Sequence, residues 1–313
     1  MTVLVLGATG FIGSWAVRAL VGRADVVVLA RPGSDTWRVD GVPGVDVRRA
    51  DPDAWADAIA ALAPDTVLSL DWSGVGGAHR DDASQWDNLA RQRLVLEAAA
   101  GAGVRRFVGV GSQAEYGPRD ERISEDADAA PVTEYGRAKL EASRESQELC
   151  GGAGVEWVWA RVFSTYGPLD HGYWLLPQVA AALLAGRDVE LSPGTQRWSY
   201  LYGADAGEAM AVLATSADAR GIVNVGHPDA PVLRSTIEEF ARHLPQGGEL
   251  QFGAIPLGPT AVTRLEPDTR KLEGLGWRPT TPLAEGLSAT ARWLGGSEVP
   301  DPARAGHALP GPR

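Results

Sequence analysis

Tyr135 and Lys139 stand four residues apart in a stretch, Glu134 to Leu149, whose apolar positions recur at helical spacing. On a helix they share one face about a turn apart. An ammonium beside a phenol favours the phenolate, so the spacing predicts a tyrosine with a lowered pKa, usable as an acid or base near neutral pH. Ser112 follows the strand-like run Phe107 to Val110. Ligands of open α/β sheets gather at the carboxyl ends of parallel strands, where a hydroxyl can hold a substrate oxygen while Tyr135 protonates it. Ser112, Tyr135 and Lys139 are therefore the candidate catalytic residues.

A second constellation reads as a dinucleotide site. Gly7-Ala8-Thr9-Gly10-Phe11-Ile12-Gly13 lies between an apolar strand, Val3 to Leu6, and a helix, Phe11 to Val21. Glycines at this spacing let the backbone turn tightly, approach a pyrophosphate and pack the helix on the sheet, while the helix N-terminus offers free N–H groups to phosphate. The candidate cofactor contacts are Gly7, Thr9, Gly10, Phe11, Ile12 and Gly13. The second strand ends Leu29-Ala30-Arg31-Pro32. An acidic residue there would bond the ribose 2′-hydroxyl, whereas Arg31 can pair with a 2′-phosphate, so NADPH is the preferred cofactor and NAD(H) the alternative. Asp51, past the third strand, either bonds the adenine amino group or caps the next helix, where Asp53 competes with it.

These residues need a scaffold, and the pattern supplies one. Short β-branched runs at Val3 to Leu6, Val26 to Ala30, Val45 to Arg48, Thr66 to Leu70, Phe107 to Val110 and Val155 to Ala160 alternate with helical stretches at Phe11 to Val21, Asp53 to Leu62, Ser84 to Ala102 and Glu134 to Leu149. Alternation of this kind predicts an α/β fold, a doubly wound parallel Rossmann sheet with helices on both faces. A smaller, interleaved C-terminal substrate-binding domain is expected from the less regular remainder, which has a Pro/Gly/aromatic stretch from Tyr166 to Pro177 and a single strand from Gln196 to Tyr202. The expected boundaries are 1–163 for the dinucleotide domain, rejoined by about 203–230, then 164–202 and 231–294 for the substrate domain. Glycine, proline and polar residues dominate 295–313, which is expected to be a poorly ordered tail.

Bulk properties narrow the function. The 313 residues carry 40 acidic against 29 basic side chains, a formal net charge of −11, with no basic run, which argues against nucleic acid or an anionic membrane as partner. A lone cysteine, Cys150, allows no internal disulfide and points to a reducing cytoplasm. The strongly apolar stretch from Leu175 to Leu184 is too short to span a bilayer, and no targeting segment is expected. His79 and His171 lack neighbouring ligands, so no metal is expected. Trp72, Trp174 and Trp198 can stack on a sugar, although such rings more often fill cores.

Taken together, Gly7 to Gly13, Gly111-Ser112-Gln113-Ala114-Glu115-Tyr116-Gly117, Tyr135-Gly136-Arg137-Ala138-Lys139 and Leu275-Gly276-Trp277-Arg278-Pro279 resemble the extended short-chain dehydrogenase/reductase family over nearly the whole chain. The resemblance implies catalytic roles for Ser112, Tyr135 and Lys139, a grip of Lys139 on the nicotinamide ribose, and a supporting role for Asn88. It implies that Val162, within Arg161-Val162-Phe163-Ser164-Thr165-Tyr166-Gly167-Pro168, borders the cofactor. Ser164, Arg197, Arg264 and Trp174 become the substrate candidates, with Ser164 standing where many relatives have asparagine. A nucleoside-diphosphate sugar is the implied substrate. A homodimer through the helices at Ser84 to Ala102 and Glu134 to Leu149 is implied as well.

Family members reduce ketones, epimerise, or dehydrate to 4-keto-6-deoxy sugars. Dehydratases of this family carry an Asp-Glu pair beside the catalytic hydroxyl, whereas this chain has Gln113-Ala114, with Glu115 one place too late. Arg31 and the form of the serine motif favour reduction, so the expectation is a 4-ketoreductase acting on a nucleotide-linked 4-keto-6-deoxyhexose. An NAD-dependent nucleotide-sugar epimerase is the first alternative. A cofactor-binding regulator without chemistry is the second, and intact Ser112, Tyr135 and Lys139 argue against it.

Overall fold

The segment TVLVL forms β1 (Thr2–Leu6), and its alternation divides cleanly: Val3 and Val5 enter one apolar cluster, Leu4 and Leu6 another. A strand buried on both faces in this way belongs inside a parallel sheet covered by helices. After β1 come α1 (Phe11–Leu20), β2 (Asp25–Ala30), β3 (Val45–Arg49), α2 (Trp55–Leu62), β4 (Thr66–Ser69), α3 (Gln85–Gly101), β5 (Arg106–Ser112), α4 (Glu134–Ala153) and β6 (Glu156–Val162). The computed structural model describes residues 1–245, 247–258, 261–301 and 308–312.

The chain continues through β7 (Ser164–Tyr166), α5 (Leu175–Leu184), β8 (Val189–Leu191), β9 (Arg197–Trp198), β10 (Tyr200–Tyr202), α6 (Gly203–Thr215) and β11 (Gly221–Val225). It closes with α7 (Leu233–Arg242), β12 (Leu250–Phe252), β13 (Arg264–Leu265), α8 (Arg270–Gly274) and α9 (Leu283–Leu294). Seven strands make one all-parallel sheet in the order β3-β2-β1-β4-β5-β6-β11. The strand order reverses between β1 and β4, which opens a crevice at their carboxyl ends. The doubly wound α/β sheet expected from the sequence is the observed one.

One face of the sheet buries Val17 and Leu20 of α1 with Met210 and Leu213 of α6; the other buries Trp55 and Ile59 of α2 with Val95 and Leu96 of α3. A separate cluster joins Val179 and Leu183 of α5, Ile237 and Phe240 of α7 and Leu287 of α9. No helix among the described residues is long and apolar enough to cross a membrane.

Two expectations need correction. Gln196 to Tyr202 is not one strand. Ser199 separates β9, which pairs with β13, from β10, which pairs with β7, so the two halves serve different two-stranded sheets. Nor is the C-terminal segment loose over its described residues. Val299 and Leu309 pack with Trp37 and Trp293, Trp293 Nε1 donates to the Pro310 carbonyl at 2.7 Å, and Asp301 pairs with Arg18 at 3.3 Å. Two apolar anchors and one carboxylate hold a segment whose composition alone reads as a tail. Residues 302–307 and 313 lie outside the described residues.

Candidate active site

Gly7 begins the crevice with φ of 75°, and a Cβ there would come within 2.5 Å of the Leu70 carbonyl carbon and 2.8 Å of the Asp71 nitrogen. Only glycine lets the loop lie flat against the end of β4. Gly10 occupies the N-cap of α1 without a side-chain cap, and the first turn carries no acidic residue. The N–H groups of that turn therefore have no capping side chain, an arrangement that suits an anion such as a dinucleotide pyrophosphate. Thr9 is fixed through its carbonyl, which accepts from Arg38 Nη1 at 3.2 Å. Phe11 and Gly13 are buried in α1, and Ile12 packs against the core.

Arg31 is exposed at the tip of β2, and its charge reaches Asp71 across the crevice. Its loop is held from β3: Arg49 Nη1 donates to the carbonyls of Arg31, Pro32 and Ser34 at 3.3, 3.0 and 3.0 Å. Asp51 takes the N-cap position of the 3-10 turn Pro52–Ala54 yet makes no side-chain cap bond, while Asp53 lies inside that turn. Burial pushes the Asp71 carboxyl up, opposed by Arg91, Arg31 and Lys139.

Ser112 ends β5 in register with Val162 of β6 and N-caps a 3-10 turn at Gln113–Glu115. Its Oγ accepts from Ala114 N at 3.2 Å, and the Glu115 carboxylate accepts from Ser112 N at 2.8 Å, a reciprocal capping box. The Glu115 carboxylate also accepts from Arg161 Nε at 2.7 Å and from Trp159 Nε1 at 3.1 and 3.2 Å. Glu115 is thus fully engaged beneath the site, and the groups following Ser112 on the open side, Gln113 and Ala114, carry no carboxyl.

Helix α4 starts at a Thr133 cap, whose Oγ1 accepts from Gly136 N at 3.1 Å. A Cβ on Gly136 would approach the Ala114 carbonyl oxygen to 2.5 Å, so the bare backbone is what lets α4 settle on the turn after Ser112. That contact sets Tyr135 beside the turn after Ser112, close enough that the Ser112 hydroxyl favours the ionised phenol. Ser112, Tyr135 and Lys139 are all buried and all meet at the carboxyl end of β5.

The electrostatics differ from the expectation that Lys139 lowers Tyr135. Burial pushes the Tyr135 phenol up, opposed by the Arg80 guanidinium and the Ser112 hydroxyl. Lys139 Nζ donates to the Val110 carbonyl at 2.6 Å and lies 3.8 Å over the Trp72 ring, but 6.0 Å from the Tyr135 ring centre. Burial pushes Lys139 itself down, opposed by Glu115 and Asp71. The ammonium contacts the Val110 carbonyl and the Trp72 face, both closer than the Tyr135 ring centre.

The glycine-rich loop after β4 covers this pair. Asn88 Oδ1 accepts from Ser73 N at 2.9 Å, and Gln85 Oε1 accepts from Trp72 Nε1 at 2.8 Å, which turns the indole edge-on to Tyr135. From the other side the Tyr173 ring rests against Gly76, stacked between His171 and the tilted ring of Trp174. Trp174 is the N-cap of α5, in this aromatic row.

The other substrate candidates form a second group. Ser164 Oγ accepts from Trp198 Nε1 at 2.8 Å. Arg197 and Arg264 are register partners of β9 and β13, and both face Glu266. Arg264 is bound to it at 2.7 Å, whereas exposed Arg197 stands 4.0 Å away and keeps its donors available. Sequence reasoning gave no site role to Arg80, Tyr173 or Arg49 and left Glu115 unused, because none of them carries a local spacing signal.

Residues 3–226 match the family model described as the NAD dependent epimerase/dehydratase family. The dTDP-6-deoxy-L-talose 4-dehydrogenase (NAD(P)(+)) of Kitasatospora kifunensis is 28% identical, over 95% of this chain and 96% of its own. The 2′-dehydrokanamycin reductase of Streptomyces kanamyceticus is 31% identical over 71% of this chain and 60% of its own. Among solved structures, the UDP-glucose 4-epimerase of Thermus thermophilus, in complex with NAD, superposes with a TM-score of 0.83 at 27% identity, over 95% of this chain and 99% of that one. A Rossmann crevice with an uncapped glycine-opened helix, a serine, a tyrosine and a lysine at one strand end, and a family match over more than two thirds of the sequence agree: the chain belongs to the NAD dependent epimerase/dehydratase family and is an enzyme of the extended short-chain dehydrogenase/reductase type.

Proposed function

We propose that the enzyme reduces a keto group on a nucleotide-linked deoxysugar, with a 4-keto-6-deoxyhexose as substrate and NADPH as the preferred reductant. The observation that carries this reading is that Ser112 at the end of β5 and Tyr135 at the start of α4 come together where the turn after Ser112 offers Gln113 and Ala114 and the Glu115 carboxylate is bound by Arg161 and Trp159. Dehydration needs an extra acid and base at that place, and Glu115 is tied to Arg161 and Trp159. The likeness to a 4-dehydrogenase over nearly the full length of both chains supports the same reading.

A bound reduced nicotinamide supplies the hydride, two electrons to the keto carbon. Tyr135 gives its phenolic proton to the oxygen that becomes the hydroxyl, Ser112 steadies that oxygen by hydrogen bond, and the phenolate regains its proton from solvent. Lys139, held by the Val110 carbonyl at the same strand end, is the candidate for gripping the nicotinamide ribose. Arg31, on a loop braced by Arg49, supports the choice of NADPH. Arg197 is the candidate for the diphosphate, and Arg264 orders the glutamate beside it. Trp86 and Leu94, exposed on α3 where it packs against α4, support a homodimer, and the single buried cysteine supports a reducing cytoplasm.

An epimerase retains its NAD through each cycle, and the Thermus thermophilus structure is that of an epimerase. Denaturing the purified protein and assaying the supernatant separates the two readings. A reductase releases substoichiometric cofactor and consumes added NADPH; one NAD per chain, with no consumption on any keto-sugar, would replace reduction with epimerisation.

A further inference from the structure

Two cations stand over the Tyr135 ring, and the nearer is not Lys139. The Arg80 guanidinium carbon lies 4.5 Å from the ring centroid, nearer than the Lys139 ammonium at 6.0 Å. Among the described residues Arg80 forms no ion pair, although Asp81 and Asp82 follow it in sequence. Its backbone is held in place from two directions. Gln85, buried, donates from Nε2 to the His79 carbonyl at 2.8 Å on one side of Arg80. On the other, Asp81 Oδ1 accepts from Glu134 N at 3.3 Å at the start of α4, one residue before Tyr135. The segment that carries Arg80 is thereby docked on the turn of helix that carries Tyr135.

We propose that Arg80 is a positioning residue of the reaction centre, an uncommitted guanidinium whose charge stabilises Tyr135 in its ionised form when the phenol gives up its proton. The inference rests on the reading of Tyr135 as the proton donor. A cation over a tyrosine face is attracted to the ring's electron density, and the attraction grows when the ring gains a full negative charge in a site shielded from water. The other groups facing Tyr135 do not substitute for it. Glu115, from the turn after β5, opposes ionisation. Tyr173, from the loop before α5, is itself an acid that interacts with Tyr135, and Lys139, from α4, is drawn toward Val110 and Trp72, with Asp71 at the end of β4 facing it. Ser112 favours the ionised phenol through its hydroxyl but carries no charge.

The test reads the ionisation directly. Difluorotyrosine, whose phenol ionises well below that of tyrosine, is incorporated at position 135 and titrated by fluorine NMR with Arg80 intact, with Arg80→Gln and with Arg80→Lys. The expected result is an ionisation moved up by roughly one pH unit in Arg80→Gln and largely restored in Arg80→Lys, which keeps the charge. An unmoved titration in Arg80→Gln overturns the proposal, as does an Arg80→Lys variant displaced as far as Arg80→Gln. Because the readout needs no turnover, it fails separately from the reductase reading. A displaced titration in a protein that reduces no keto-sugar upholds the electrostatic contact and sinks the reading, whereas an unmoved one in an active reductase sinks only the role of Arg80.

Discussion

The Glu115 carboxylate lies 2.7 Å from the Arg161 guanidinium, both side chains are removed from solvent, and the pair sits directly beneath Ser112. Arg161 in turn lies 4.3 Å over the Tyr116 ring, whose hydroxyl donates to Asn224 Oδ1 at 2.7 Å on β11. Neighbouring strands of the sheet are therefore locked at their carboxyl ends through the residue that caps the catalytic turn. Removing one partner strands a buried charge. Glu115→Gln is expected to cost about 3–5 kcal/mol in chemical denaturation, with activity falling as Ser112 loosens. A loss under about 1 kcal/mol would mean that the pair behaves as an exposed bridge does and does not brace the site.

Gly136→Ala tests the close approach that brings Tyr135 to Ser112. The added methyl meets the Ala114 carbonyl oxygen, so α4 must shift by a few tenths of an ångström or more. The expected outcome is a drop in kcat of roughly 100-fold with NADPH affinity little changed, since the cofactor loop is on β1 and α1. Equal loss of cofactor binding and turnover, measured by fluorescence titration and steady-state kinetics, would point to general unfolding instead.

Cofactor choice follows from the tip of β2. Arg31→Asp is expected to weaken NADPH by about 10-fold or more, through loss of one charge-assisted contact and gain of a repulsive one, and to leave NADH binding equal or better. Arg49→Ala, which frees the loop carbonyls without touching the cofactor, should weaken NADPH less. Arg31→Asp binding both cofactors as before would remove Arg31 from the site.

Much of this was legible in the sequence because it rests on local rules. The alternation of Val3 and Val5 against Leu4 and Leu6, the glycines from Gly7 to Gly13 and the four-residue spacing of Tyr135 and Lys139 are periodicities, and the structure keeps them. What stayed hidden depends on contacts between distant segments. Arg80 and Tyr135 are 55 positions apart and meet only because Asp81 docks on α4. Lys139 lies farther from the Tyr135 ring than Arg80 does, with its ammonium on the Val110 carbonyl and the Trp72 face, from two other segments. The packing of Val299 and Leu309 is of the same kind, since two isolated apolar residues in a polar stretch say nothing of the tryptophans that await them.

Asp170 offers a test by pH. Burial pushes its carboxyl up to about 7, partly opposed by the His171 backbone N–H and by Arg38. Its folded-state pKa is thus above its unfolded value, so the native state binds the extra proton. The Asp170 contribution to stability is fully present near pH 4 and declines as pH rises toward 7. His171 acts in the opposite sense: burial holds it down to about 4, and its contribution is lost as pH falls from 6.5 to that value. Asp170→Asn removes only the first. The variant is expected to gain about 2–4 kcal/mol over wild type near pH 8 and little or nothing near pH 4, read from thermal unfolding at each pH. A constant difference across that window would show that Asp170 keeps its charge in the fold.

The most direct measurement of the central claim follows NADPH and NADH absorbance against a panel of nucleotide-linked 4-keto-6-deoxyhexoses, for the native enzyme and for Tyr135→Phe. The expected result is oxidation of NADPH in step with consumption of one of these sugars, faster than with NADH, and a loss of roughly 100- to 10,000-fold in the variant. Turnover unchanged in Tyr135→Phe, or no oxidation of either cofactor with any member of the panel, would contradict it.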